Sequence, residues 1–180
     1  MRRSFLIAVL SFLGLVSQRR RAAHAQRDAP PVGAAAPDLL DHAGGALARL
    51  ITVARERAIA DGVRPIPAAV QRGLAGYFPD DLLRRVRHGT GRAEAIALPF
   101  LAFTYGHSAA MTLGDVILFR DGARAGYDLK LWAHELTHVL QYQRWGIEGF
   151  AARYVRDSAA VEREAYQNAD RFAAWRGTGG

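Results

Sequence analysis

His134-Glu135-Leu136-Thr137-His138 sits inside an apolar stretch marked by Leu131, Trp132, Leu136, Val139 and Leu140. This pairing of an HExxH motif with a buried-type helix constrains the fold more than any other feature. The apolar spacing predicts a helix over residues 128–145, closed by Gly146 and Gly149. Positions four apart on a helix share a face, so both imidazoles can point at one ion. Glu135 lies about 100° round from His134, at the edge of that face, where it reaches a water without ligating the metal. A buried helix that carries two histidines and a glutamate needs a compensating partner, because isolated polar burial is costly. With 6 histidines in 180 residues and as many glutamates, chance would supply roughly 0.007 such motifs per chain.

A catalytic zinc site takes a third protein ligand and keeps one position open. The HExxHxxGxxH pattern would place a third histidine at position 144, but Arg144 stands there and Gln141 fills position 141. The third ligand must therefore come from the last predicted helix, residues 158–175, which offers Glu162 and Glu164. Helical phase aligns Glu162 with Ala165, Tyr166, Ala169, Phe172 and Ala173 on an inner face. It aligns Glu164 with Asn168 and Arg171 on an outer one. Glu162 is the favoured ligand and Glu164 the alternative. The parts imply one Zn2+ per chain, with Glu135 as general base in peptide-bond hydrolysis. Tyr154, Tyr166, His107 and Arg153 are candidates to stabilise an oxyanion, and Asp170 to orient a ligand imidazole from behind.

The chain has no cysteine, which excludes a disulfide scaffold, a thiolate nucleophile and Cys-based metal sites. The net charge of +7 suggests nucleic acid, but five arginines fall in the first 25 residues. The remainder is close to neutral, so no basic stripe is left to track phosphates. Residues 1–25 read instead as an export signal: Arg2 and Arg3, an apolar run over 5–16, and Ala23-His24-Ala25 before Gln26. The run is too short to span a bilayer. Arg19-Arg20-Arg21 after it oppose translocation, so membrane contact is expected only through this segment if it is retained. The expected location is periplasmic or extracellular.

Residues 26–37 read as a Pro/Ala/Gly linker, residues 38–176 as one domain and 177–180 as a flexible tail. Within the domain, helices are predicted over 38–60, weakened by Gly44-Gly45, over 67–78, from Pro79 through Leu82, Leu83 and Val86 to a close at Gly89-Thr90-Gly91, and over 93–105 with Pro99 interrupting. Residues 111–113 and 116–119 flank Gly114-Asp115 as a hairpin. If the strand at 116–119 is the sheet edge nearest the HExxH helix, an extended peptide could pair with it. The fold class is α+β: a helical body with a small antiparallel sheet beside the HExxH helix.

Several of these segments together resemble the zincin-like domain found near extracellular contractile injection systems, the eCIS core domain. They are Pro65-Ile66-Pro67 with its helix, Asp81-Leu82 through Val86-Arg87-His88, the hairpin Met111-Thr112-Leu113-Gly114 to Ile117-Leu118-Phe119, and residues 131–141. The similarity covers about residues 63–142, and HExxH is its specific part. It implies a zinc metallopeptidase with His134 and His138 as ligands and Glu135 as base. Glu162-Arg163-Glu164-Ala165 looks like the carboxylate-bearing helix of glutamate-type zincins. Those families often place Asp four residues after the ligand, where this chain has Tyr166, and Tyr142 stands where the eCIS family often has a second Gln. Two functions follow: an exported zinc endopeptidase acting on protein or peptide, or a zinc-stabilised, non-catalytic accessory module of the envelope or of an injection system. Residues 26–60 could also serve as an inhibitory pro-region.

Overall fold

A computed structural model describes residues 35–90 and 109–179. The signal-like segment, most of the linker, the helix expected over 93–105 and His107 lie outside the described residues. The chain divides into two compact units, residues 1–43 and 44–180. The described part of the first is the start of helix α1 (Ala35–Asp61), which begins three residues before Asp38. The rest of α1 belongs to the second unit and runs unbroken through Gly44-Gly45. There the missing side chain of Gly44 allows close approach to Ala152, whose Cα would lie 3.1 Å from an added Cβ.

After α1 come β1 (Arg64–Pro65), α2 (Ala68–Leu74), α3 (Asp80–Arg85), β2 (Arg87–Thr90), β3 (Ala110–Leu113), β4 (Val116–Phe119), α4 (Gly122–Tyr127) and α5 (Leu129–Gly177). The second unit is α+β, as expected, but its sheet is mixed rather than antiparallel. The strand order is β1-β2-β4-β3, with β2 parallel to β4 and the other pairs antiparallel. β1 and β2 were not expected: α3 stops at Arg85, and Gly89-Thr90, read as its close, is the end of β2. Helix α2 stops at Leu74 instead of 78, because Gly76 takes φ 82° and Ala75 bridges Phe78.

The hairpin forms around Gly114-Asp115, and Gly114 holds φ 69°, a left-handed value open to glycine. All four residues of β4 are buried, as a strand covered on both faces requires. This corrects the expectation for peptide pairing: Val116–Phe119 is central, and β3 is the strand on the sheet's outer side. Pro65 is tolerated in β1 because that strand forms the opposite edge.

Helix α5 contains two breaks, at Gly146 (φ 69°) and at Asp157. They divide it into segments 129–145, 147–156 and 158–177. Asp128 caps the first, its carboxylate accepting from Leu131 N at 3.0 Å. Asp157 caps the third, accepting from Ala160 N at 3.1 Å. Gly149 stays helical, contrary to its expected role as a breaker. Every residue from Trp132 to Val139 is buried, so the first segment is the central rod of the core. Its Trp132 is fully enclosed, and the indole N–H donates to Ala125 O at 2.9 Å, which removes the polar cost of burying so large a ring. The third segment packs through Ala165, Ala169 and Phe172. The fold thus sets the HExxH segment between the sheet and the C-terminal segment.

Candidate metal centre

Burial of the first α5 segment forces each polar side chain on it to find a partner. Thr137 donates to Ala133 O at 2.7 Å and accepts from Asn168 Nδ2 at 2.8 Å. Glu135 Oε2 accepts from the Thr112 hydroxyl of β3 at 2.6 Å, and the same hydroxyl lies 3.2 Å from the Glu135 carbonyl. His138 Nδ1 lies 2.8 Å from Gln141 Oε1. His134 is different: its buried Nδ1 has no partner among the described residues. Its ring instead meets Tyr166, with centroids 4.5 Å apart.

The two Nε2 atoms turn toward each other and toward one carboxylate. His134 Nε2 and His138 Nε2 are 3.2 Å apart, and Glu162 Oε2 lies 3.4 Å from the first and 3.6 Å from the second. Among the described residues, His134, His138 and Glu162 form a group that can hold a metal ion. Two tests support the fit. Two histidine nitrogens and one carboxylate oxygen are the donor set of a catalytic zinc site with an open position. Ligands bonded at about 2.0–2.1 Å around a tetrahedral centre stand about 3.3 Å apart, close to the three separations observed.

The electrostatics are those of a cation-seeking cluster. Burial acts to raise the Glu162 carboxyl, but hydrogen bonds from His134 and His138 overcome it and hold the group well below the ordinary carboxylate range. Burial acts to lower His138, yet its hydrogen bond to Glu162 and the charges of Glu135 and Glu162 leave it above the ordinary imidazole value. Tyr142, fully buried, is pushed well above its usual value by desolvation, with the neighbouring Tyr154 and Glu135 adding to it. Its hydroxyl donates to Thr112 O at 3.3 Å.

The remaining candidates separate clearly. Glu164 points to Gln141 Nε2 at 3.0 Å and to Arg144 at 3.0 Å, away from the histidine pair. Tyr154 donates to Glu162 Oε1 at 3.1 Å and so stands behind the carboxylate. Tyr166 was expected on the inner face but is 61% exposed, which puts it at the rim beside His134. Ala173 is also exposed, while Asn168, expected outside, reaches inward to Thr137. Asp170 does not back a ligand: it forms an exposed ion pair with Lys130 at 2.7 Å. Arg153 bonds Gly149 O and lies over the Trp145 ring at 4.7 Å. Two contributors were missed from sequence, Thr112 beside Glu135 and Gln141 beside His138. The second had a readable signal, because Gln141 stands three residues after His138, where a helix brings side chains together.

An α+β domain with a two-histidine, one-glutamate candidate metal centre is therefore the class that fold and site define. Residues 65–146 match the family model of the eCIS core domain, a range that includes both histidines, Glu135 and Gln141 but not Glu162. No curated protein and no solved structure matches the chain.

Proposed function

We propose that this chain is an exported zinc metallopeptidase that hydrolyses peptide bonds in protein or peptide substrates, working in the setting of an injection system. The observation that carries the reading is the convergence of His134 Nε2, His138 Nε2 and Glu162 Oε2 directly beside Glu135. His134, His138 and Glu162 would hold the ion. Bound there, Zn2+ supplies Lewis acidity, lowering the pKa of a water toward about 7 and polarising a carbonyl. Glu135 is the group placed to take the proton of the attacking water and return it to the leaving amine. The Thr112 hydroxyl holds one oxygen of that carboxylate and leaves the other for the proton. Tyr154 steadies the ligand Glu162. Tyr166, exposed against His134, is the described candidate best placed to meet a developing oxyanion.

The match to the eCIS core domain supports the injection-system setting. The basic start and apolar run of residues 1–25 support export. No helix among the described residues is long and apolar enough to cross a membrane.

The purified protein should carry about one zinc per chain and cleave an unfolded protein substrate. Glu135→Gln should abolish cleavage and retain the metal. Equal cleavage by that variant, or a wild type that takes up no metal, overturns the reading. One observation favours the non-catalytic alternative: Glu135 is 2% exposed, with one oxygen already bonded to Thr112. Zinc uptake with no cleavage across a broad peptide panel selects that alternative.

A further inference from the structure

The two ligand histidines are not held alike. Among the described residues His134 Nδ1 is buried without a partner, whereas His138 Nδ1 faces Gln141 Oε1 at 2.8 Å. Gln141 is fully buried and belongs to neither the ligand set nor the proton-transfer machinery. Its amide nitrogen lies 3.0 Å from Val161 O and 3.0 Å from Glu164 Oε2. The other Glu164 oxygen takes an Arg144 N–H at 3.0 Å. A backbone carbonyl and an ionised carboxylate can only accept hydrogen bonds. The NH2 end of Gln141 must therefore face them, which fixes an amide orientation that would otherwise be ambiguous.

The consequence passes to the imidazole. With its NH2 end engaged, Gln141 presents Oε1 to His138, and Oε1 can only accept. In the neutral ring His138 Nδ1 must then carry the hydrogen, and Nε2 keeps its lone pair. Nε2 is the atom aimed at His134 and Glu162. We propose that Gln141, backed by Glu164, is a positioning residue that selects which nitrogen of His138 is offered to the ion, and that this relay, not ligation, is the role of Glu164. The same bonds join the HExxH segment to the segment bearing Glu162, so the relay also sets the spacing of the third ligand. The proposal rests on the metal-centre reading above and deepens it.

The test uses the full chain labelled with 15N-histidine. In the metal-free protein at alkaline pH, where imidazoles are neutral, long-range 1H–15N correlations should show His138 as the Nδ1–H tautomer. Gln141→Met, close in size but without the amide, should lose that tautomer and weaken Zn2+ about 10–100-fold in competition with a chelator, as loss of a ligand's supporting hydrogen bond does.

An Nε2–H tautomer in the wild type overturns the proposal. So does a Gln141→Met protein with unchanged affinity and tautomer. If Gln141→Met fails to fold, Glu164→Leu at its partly exposed position should move both readouts in the same direction by less, and no movement overturns the proposal. A wild type that binds no zinc defeats the metal reading, while the metal-free tautomer still tests the relay on its own.

Discussion

Thr112 on β3 and Glu135 on the HExxH segment are joined by a buried hydrogen bond of 2.6 Å between hydroxyl and carboxylate. It ties the outer strand of the sheet to the residue proposed as the base, and Tyr142 secures the same threonine through its carbonyl. Bonds to ionised acceptors are about twice as strong as neutral ones, and removing the donor leaves a buried charge without it. Thr112→Val keeps the shape and deletes the hydroxyl. We expect a loss of about 1–3 kcal/mol in folding stability, read from urea midpoints. A midpoint equal to the wild type would show that water or another group replaces the hydroxyl at no cost.

Glu162 carries the second expectation. A ligand that binds only the native state adds RT ln(1 + [L]/Kd), about 2.7 kcal/mol at a concentration one hundred times Kd. Zinc should therefore raise the thermal midpoint of the wild type, and a chelator should return it to the metal-free value. Glu162→Ala removes the carboxylate that lies 3.4 and 3.6 Å from the two histidine nitrogens. Its midpoint should respond weakly to zinc, and its metal content after dialysis should fall well below that of the wild type. A variant that holds zinc as tightly as the parent would remove Glu162 from the ligand set.

The elements most legible in the sequence are those whose signal is local. The apolar run from residue 128 to 145 and the break at Gly146 define the HExxH segment, and Gly114-Asp115 defines the hairpin. β1 and β2 escape notice because Arg64-Pro65 and Arg87-His88-Gly89-Thr90 have no apolar alternation. They are strands because β4 lies alongside β2 in parallel, and β2 in turn pairs with β1. The choice between Glu162 and Glu164 was similarly hard to read. Val161 and Ala165 form the buried line of the third α5 segment, and at 100° per residue the two glutamates fall about 80° to either side of it. Phase alone therefore places both at the border. What separates them is tertiary: the histidine pair waits on one side, Gln141 and Arg144 on the other. The Thr112–Glu135 bond spans 23 residues and left no local trace.

We expect His88 to give the chain a pH response separate from the candidate metal centre. It is buried on β2 against the rings of Trp132 and Phe119, with Nδ1 3.2 Å from Arg64 O. Burial lowers its pKa below the ordinary 6.5; the backbone bonds at Arg64 and Pro65 offset this only in part, and the Arg64 charge adds a smaller lowering. A base with a lowered native pKa is protonated more readily when unfolded, so its contribution to stability is present above about pH 6.5 and is lost as pH falls through the native value. Between neutral and mildly acidic pH, wild-type stability should therefore fall more steeply than that of His88→Asn. Urea unfolding of both proteins across that range isolates the term, since the groups remote from His88 are common to both. Parallel slopes would mean that His88 titrates normally.

The adjacent glycines of α1 should respond in opposite ways to the same substitution. Alanine is favoured over glycine inside a helix by about 1 kcal/mol, and both positions are helical. At Gly45 the nearest atom to an added Cβ is the flexible end of Arg49 at 3.7 Å, an ordinary contact, so Gly45→Ala should stabilise by close to the full propensity difference. At Gly44 the added Cβ would stand 3.1 Å from the Ala152 Cα and 3.5 Å from its nitrogen. Those are backbone atoms, in the segment between the breaks at Gly146 and Asp157, and they can yield only if that segment shifts. Overpacking of this kind typically costs about 1–3 kcal/mol, enough to cancel or reverse the gain. Thermal midpoints of the two single variants should thus move apart, Gly45→Ala upward and Gly44→Ala level or downward. Equal rises in both would mean that α1 does not depend on a bare backbone at Gly44 to pack against Ala152.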